Sequence, residues 1–256
     1  MLSFGLAARL PLRFVRPGRS PDRALRLLDA VTDRAQPGVL ARLGSRARRS
    51  SWRLRVAGGA LLKRGLDVVV AGGALLALLP VLAAVAYLIR RDGGPALYWQ
   101  ERVGRWGRVF NCPKFRSMVI DAEAQKDALL AQSHHAESIT FKMKSDPRVT
   151  PLGAVIRRLS IDELPQLWTV LTGEMSLVGP RPPVPREVVN YSLEDRRRLD
   201  VTPGLTCIWQ VSGRGDIPFP QQLELDLEYI RRRSLRFDIE LLFRTVPAVL
   251  SGRGAY

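Results

Sequence analysis

From Val68 to Ile89 the chain reads VVVAGGALLALLPVLAAVAYLI, without a charge, between Lys63-Arg64 on one side and Arg90-Arg91 on the other. About 20 apolar residues suffice for a helix to cross the ~30 Å hydrocarbon core of a bilayer. In that solvent the backbone must satisfy its own hydrogen bonds, so the segment is expected to be helical. Two features oppose a plain crossing. Positive residues mark the cytoplasmic side of a span, and here both flanks are basic. Pro80, near the middle, removes a helix hydrogen bond and favours a kink. Both features fit a helix that enters the membrane, bends at Pro80 and leaves on the side it entered. An ordinary span with arginines on both sides is the competing reading.

The stretch before Lys63 is rich in arginine, and its only acids are Asp22, Asp29 and Asp33. Its first residues, MLSFGLAARLPLRF, resemble an organellar transit peptide in being arginine-rich and acid-poor. They lack the long apolar core of a secretory signal. The stretch reads either as a basic arm near anionic lipid headgroups or as a solvated tail. The whole chain of 256 residues carries a formal charge of +16, which calls for an anionic partner: nucleic acid, an anionic membrane or phosphorylated small molecules. Cys112 and Cys207 have neither zinc spacing nor a CxxC, and read as small buried apolar residues in a reducing compartment. His134 and His135 read as a loop or helix surface.

Beyond the apolar segment the pattern is α+β, mainly α-helical. ALYWQERVGRWGRVFNCPKF alternates apolar and polar residues around Gly104 and Gly107, the signature of a small β-hairpin. Helices are expected over 120–132, 152–159, 160–171 and 186–200. Leu223, Leu227 and Ile230 fall on one helical face, and Leu235, Ile239, Leu242, Val246 and Val249 form a further stripe. Such stripes pack cores, but arginines interleave this one, which also suits an interfacial helix.

The sharpest local feature is RRLSIDELPQLW, residues 157–168. Ser160 and Glu163 have capping-box spacing, and Leu159 and Leu164 that of a hydrophobic staple. Pro165 would suit a start at Asp162 better. Either way Asp162 and Glu163 sit at a helix N-terminus, where the dipole favours ionised carboxylates. Acids there are ordinary caps, yet Lys114, Arg116, Arg148, Arg157, Arg158 and Arg181 stand around them in sequence. Arginines grip phosphate oxygens bidentately. A carboxylate pair beside them can hold Mg²⁺ through oxygen ligands or supply a nucleophile that forms an acyl phosphate.

Nine pieces occur in order: KRGLD (63–67), QERVG (100–104), KFRSM (114–118), DPRVTPLG (146–153), SIDELPQLW (160–168), MSLVGPRP (175–182), PGLT (203–206), WQVSGR (209–214) and GAY (254–256). In this ordered set the chain from Lys63 to Tyr256 resembles the bacterial sugar transferase family, the monotopic polyprenyl-phosphate phosphoglycosyl transferases. Where that family often has Ser-Pro at the membrane break, this chain has Leu79-Pro80, and Thr169 and Cys207 replace the usual Asn and Gly.

Residues 1–60, which the resemblance does not cover, stay a basic arm; the resemblance implies a re-entrant helix (61–92) marked by Lys63, Arg64, Asp67 and Pro80, and a cytosolic catalytic domain (93–256). It implies transfer of sugar-1-phosphate from a UDP-sugar to polyprenyl phosphate, at the cytosolic face of the bacterial cytoplasmic membrane. Asp162 would be the nucleophile and Glu163, with Asp162, the Mg²⁺ ligand. Lys114, Arg116, Arg148, Arg157, Gln166, Arg181 and Arg214 would bind substrate and phosphate. The oligomeric state stays open between monomer and homodimer. A nucleic-acid-binding protein is disfavoured by the apolar segment and the lack of a groove-reading motif. A non-catalytic membrane scaffold is disfavoured by the intact Asp-Glu pair.

Overall fold

The computed structural model describes residues 39–122, 124–125, 146–252 and 254, with side chains from residue 57 onward. The expected helix over 120–132, the two histidines, the basic arm up to residue 38 and the end of the GAY piece lie outside the described residues in whole or part. The chain divides into two units between Val56 and Ala57, and the site lies in the second.

Helix α1 (Val39–Arg90) continues through Pro80. From Ala57 to Arg90 it is long and apolar enough to cross a membrane, with little of its surface buried. Leu61, Val69, Leu76 and Tyr87 are openly exposed. The face that is buried packs on the rest of the unit at two places. Ala71, Ala74 and Leu75 join a cluster with Val170, Leu177, Tyr229 and Leu241, while Val85 and Ile89 join Phe115 and Ile156.

After α1 comes the expected hairpin: β1 (Leu97–Val103) pairs antiparallel with β2 (Val109–Phe115), Gln100 opposite Cys112. Trp106 and Gly107 turn it with positive φ. The helix expected over 152–159 is α2 (Pro151–Arg158), opened by Thr150, whose side chain accepts from the Gly153 amide. The expected second helix, 160–171, divides in two. Residues Ile161–Gln166 form a 3-10 turn, and only Leu167–Thr172 is an α-helix, α3. Pro165 accounts for the division, because it has no N–H to give to an α-helical ladder.

Strand β3 (Ser176–Val178) pairs in parallel with β4 (Gly204–Thr206), a second small sheet that alternation did not reveal. Three residues are too few to alternate. The two chains approach so closely at Gly179 and Gly204 that a Cβ on Gly204 would lie 2.0 Å from the Gly179 nitrogen. Glycine is therefore required at that crossing for want of space, and the crossing fixes the path of the chain into Pro180 and Arg181.

The expected helix over 186–200 is two short pieces, α4 (Pro185–Val189) and a 3-10 turn over Asp195–Asp200. In α5 (Phe219–Arg232) the buried face is Gln222, Asp226 and Tyr229, one position from the apolar stripe read in the sequence, which is half-buried. Buried polar groups on this face have partners, as such groups need. Asp226 pairs with Arg198. The Tyr229 hydroxyl lies 2.7 Å from Asp238 Oδ1 and 3.0 Å from the Val178 carbonyl. In α6 (Leu235–Ser251) Phe237, Asp238 and Leu241 are buried. Leu235, Ile239 and Val246 of the expected stripe are exposed together with Phe243 and Leu250. Cys112 and Cys207 are free and buried, as read.

Three residues of KRGLD tie α1 to this framework. Lys63 Nζ donates to Asp238 Oδ2 (2.5 Å) and the Val178 carbonyl (3.2 Å). Arg64 donates to the Val170 and Leu171 carbonyls at 2.5 and 2.6 Å, at the C-terminal end of α3, where a cation also suits the dipole. Asp67 accepts from the Leu177 amide at 3.0 Å and from Ser176 Oγ at 3.1 Å. Asp67→Ala should leave the buried Leu177 N–H unsatisfied and cost about 1–3 kcal/mol. At about 2–4 °C per kcal/mol for a chain this size, thermal unfolding in detergent should drop by several degrees. An unchanged midpoint would show that Asp67 does not hold β3.

Candidate active site

Ser160 holds a left-handed backbone conformation (φ 55) between α2 and the 3-10 turn. Its side chain does not cap the turn, as the capping-box spacing led one to expect. It accepts instead from Arg214 Nη2 at 2.8 Å, and the Glu163 carboxylate reaches across the fold rather than back to Ser160. Lys114 Nζ lies 2.9 Å from Glu163 Oε1, and Arg181 Nη2 lies 2.7 Å from the same oxygen. Lys114 comes from β2, Glu163 from the turn and Arg181 from the loop that leaves the Gly179–Gly204 crossing. Both cations hold the Glu163 carboxyl well below its usual range despite burial.

Asp162, the next residue back, is more deeply buried, at 8% exposure, but among the described residues no group hydrogen-bonds to its carboxylate. Burial, reinforced by the charge of Glu163, pushes its pKa up to about 6 against the opposing pull of Lys114, Arg157 and Arg181. A carboxylate so placed is ionised at neutral pH, more basic than an ordinary aspartate, and has its oxygens unoccupied.

Two cavities meet at this carboxylate. One, of about 320 Å³, lies between the turn, β4 and the inner side of α6. The other, of about 430 Å³, lies between the hairpin, the proline-rich loop and the start of α5. Asp162, Lys114, Arg157, Arg181 and Trp209 line both. The Arg157 guanidinium has no partner among the described residues and is available to an anion. Lys114 keeps its charge through Glu163, although burial lowers its pKa.

Not every cation read from the sequence reaches this point. Arg116 lines the larger cavity, but its guanidinium bonds the Ile89 carbonyl (3.1 Å), the Pro95 carbonyl (2.8 Å) and Asp92. It fastens the end of α1. Arg148 is buried against Asp146 and the Ala122 carbonyl. Gln166 is buried behind the turn, lines neither cavity, and has its Nε2 without a partner.

Three residues of the site escaped the sequence reading. Arg102 donates to the Pro182 carbonyl at 2.8 Å and so holds the loop carrying Arg181. Arg198, buried with Asp226, donates to the Arg181 carbonyl at 3.2 Å. Trp209 lines both cavities. Arg102 and Trp209 lie in the QERVG and WQVSGR pieces, a signal that was there to use. Arg198, one of three consecutive arginines, carried none.

The arrangement is an open carboxylate in a cationic setting with access from two sides, a site suited to phosphorylated ligands. Comparison agrees. The bacterial sugar transferase family profile matches residues 58–252, and the chain belongs to that family. It is 44% identical over 198 residues to a UDP-galactose-lipid carrier transferase of Erwinia amylovora, covering 76% of this chain and 42% of the relative. It is also 44% identical over 198 residues, with the same shares, to an undecaprenyl-phosphate galactose phosphotransferase of Salmonella typhimurium. With the exopolysaccharide production protein ExoY of Sinorhizobium fredii it shares 40% over 202 residues, 77% of this chain and 89% of that one. The chain thus spans about two fifths of the length of the first two and most of the third.

Because folding raises the pKa of Asp162 above the ordinary aspartate value, the ionised carboxylate destabilises the fold. That cost is absent below about pH 4, grows between about pH 4 and 6 and is complete above. Asp162→Asn should therefore stabilise the fold at pH 7.5 by on the order of 1–3 kcal/mol, seen as a raised unfolding midpoint, and leave the midpoint unchanged near pH 3.5. A midpoint lowered at pH 7.5 would mean that the surrounding cations need this charge for stability.

Proposed function

We propose that this protein transfers sugar-1-phosphate from a UDP-sugar to polyprenyl phosphate, with Asp162 as the covalent relay. The observation that carries the reading is the division of labour in the carboxylate pair. Glu163 is held by Lys114 and Arg181, whereas Asp162 is open to both cavities. The printed names of the relatives, which include a UDP-galactose-lipid carrier transferase and an undecaprenyl-phosphate galactose phosphotransferase, support the same substrates.

In the first step an Asp162 oxygen attacks the phosphorus that bears the sugar. The bond from that phosphorus to the UMP oxygen breaks, and UMP leaves with the electron pair. In the second step an oxygen of polyprenyl phosphate attacks the same phosphorus and displaces the carboxylate. The product is a polyprenyl diphosphate sugar, and Asp162 is restored. Lys114, Arg157 and Arg181 neutralise the phosphoryl oxygens in both steps, where charge builds up.

Asp162, whose oxygens have no donor among the described residues, and Glu163 Oε2, which has only a 3.4 Å contact from Arg181, would share a Mg²⁺ rather than form a dedicated metal cage. Mg²⁺ is commonly held by one or two carboxylates with substrate phosphates and water completing its shell. Among the described residues no group of three or more His, Cys, Asp or Glu side chains could hold a metal. When bound, the ion would supply charge neutralisation at the diphosphate.

The membrane reading follows from where α1 is fastened. Its basic start is tied to the catalytic unit through Lys63, Arg64 and Asp67, and its far end through Arg116 at Ile89. At ~1.5 Å per residue these ends are roughly 40 Å apart along a straight helix. A direct crossing would put them on opposite sides of ~30 Å of hydrocarbon, so attachment of both to one unit favours re-entry. The catalytic unit then sits at the cytosolic face of the cytoplasmic membrane.

Incubated with the right UDP-sugar and Mg²⁺ but without lipid acceptor, the enzyme should release about one equivalent of UMP and stop, the burst of a covalent intermediate. Intact mass should show a sugar-phosphate adduct, absent from Asp162→Asn. Glu163→Gln should slow the burst and raise the Mg²⁺ requirement. UMP release that depends on polyprenyl phosphate would rule out the relay.

Single cysteines placed at positions 60 and 93 should both react with a thiol reagent from the cytosolic side only. Labelling of either from the opposite side would rule out re-entry.

A further inference from the structure

We propose that the two cavities divide the substrates: the cavity under α6 takes the isoprenoid end of the acceptor, and the cavity under the hairpin takes the nucleoside of the donor. This rests on the transfer proposed above and assigns each half-reaction its own entrance to Asp162.

The walls differ in chemistry. Under α6 they include Leu164, Leu177, Leu205, Leu242, Ala248 and Val249 beside the uncharged Thr206, Gln210 and Thr245, and the only cation found there and not in the other cavity is Arg214. A phosphate monoester on an apolar chain needs little more. Under the hairpin, Arg186 adds to the shared cations, while Arg102, Arg148 and Arg198 line the wall with their guanidiniums engaged by the framework, and Tyr98 and Phe219 offer aromatic rings. A diphosphate, a sugar and a base need charge and a flat apolar surface together, and bases stack on such rings. Arg186 is exposed and has no partner among the described residues, so its guanidinium is available to the second phosphate.

Position points the same way. Helix α6 is apolar on two sides. Leu242, Ala248 and Val249 face the smaller cavity, and Ile239, Phe243, Val246 and Leu250 are exposed. That exposed stripe runs beside the Glu240–Arg244 pair, a pattern suited to a helix lying at a membrane interface, and α6 starts beside the basic end of α1 through the Lys63–Asp238 pair. Its outer side therefore faces lipid, and a single helix about 10 Å across separates the lipid from the cavity. An isoprenoid tail that slips round α6 reaches Asp162 without leaving an apolar surface. The larger cavity is bounded instead by the hairpin and the proline-rich loop, away from that helix.

Photolabelling of Asp162→Asn protein reads this assignment without turnover. The probes are 5-azido-UDP and a farnesyl phosphate carrying a diazirine. The azidouridine label should fall within 98–102, 115–120, 183–187 or 219–222, and the isoprenoid label within 205–211 or 242–249. Exchange of the two patterns, both labels in one cavity, or no specific label from either probe would overturn the assignment. In wild-type background, Ala248→Trp fills the smaller cavity. It should lower the ratio of adduct discharge by polyprenyl phosphate to UMP burst by roughly tenfold, and Arg186→Glu should raise that ratio. An unchanged or inverted ratio in both overturns it. Failure of the wild-type enzyme to form any adduct counts against the covalent relay and not against the cavities, which the photolabels map independently.

Discussion

The double grip of Lys114 and Arg181 on Glu163 is the contact on which the site depends. It joins β2, the 3-10 turn and the loop after β3, three segments far apart in the chain. A buried carboxylate with two cations is held in place, because removing either partner would leave a charge uncompensated in a low dielectric. Its neighbour Asp162 is thereby left without a competing partner, in the same cationic field, with burial raising its basicity. The chemistry of one carboxylate follows from the occupation of the other.

Arg181 must be delivered accurately for that grip to form, and the delivery begins at the membrane helix. Asp67 and Lys63 hold the two ends of β3. The Gly179–Gly204 crossing then admits no side chain, Pro180 and Pro182 stiffen the loop, and Arg102 and Arg198 hold the backbone on either side of Arg181. The apolar helix is therefore a wall of the framework that carries Arg181. At the far end Arg116, fastening Ile89 and Pro95, joins α1 to β2 one residue after Phe115. The apolar helix and the cationic site share the same few contacts.

Burial of polar side chains explains most of the departures from pattern. In α5 an apolar stripe lies one position from the buried face, because Asp226 and Tyr229 answer Arg198 and Asp238 inside. In α6 the reverse occurs: Ile239, Phe243 and Val246 lie outside, and only the competing interfacial reading of the stripe suits them. Periodicity measures which residues avoid water, and a membrane-associated protein has two places that offer this.

What could be read in the sequence was local. The uncharged stretch with basic flanks, the hairpin around Gly104 and Gly107, the helix over 152–159 and the adjacent acids of SIDELPQLW are each set by residues close together in the chain. The ordered set of short pieces then identified the family. Only the tertiary structure decided which cations reach the acids, since Arg116 and Arg148 are spent on carbonyls and acids of the framework while Lys114, Arg157 and Arg181 converge. It also decided that Ser160 serves Arg214 and not the turn, and that Glu163 is paired while Asp162 is open. A charge is placed by partners dozens of residues away, and the energy of each such pair depends on distance and burial, neither of which a linear sequence carries.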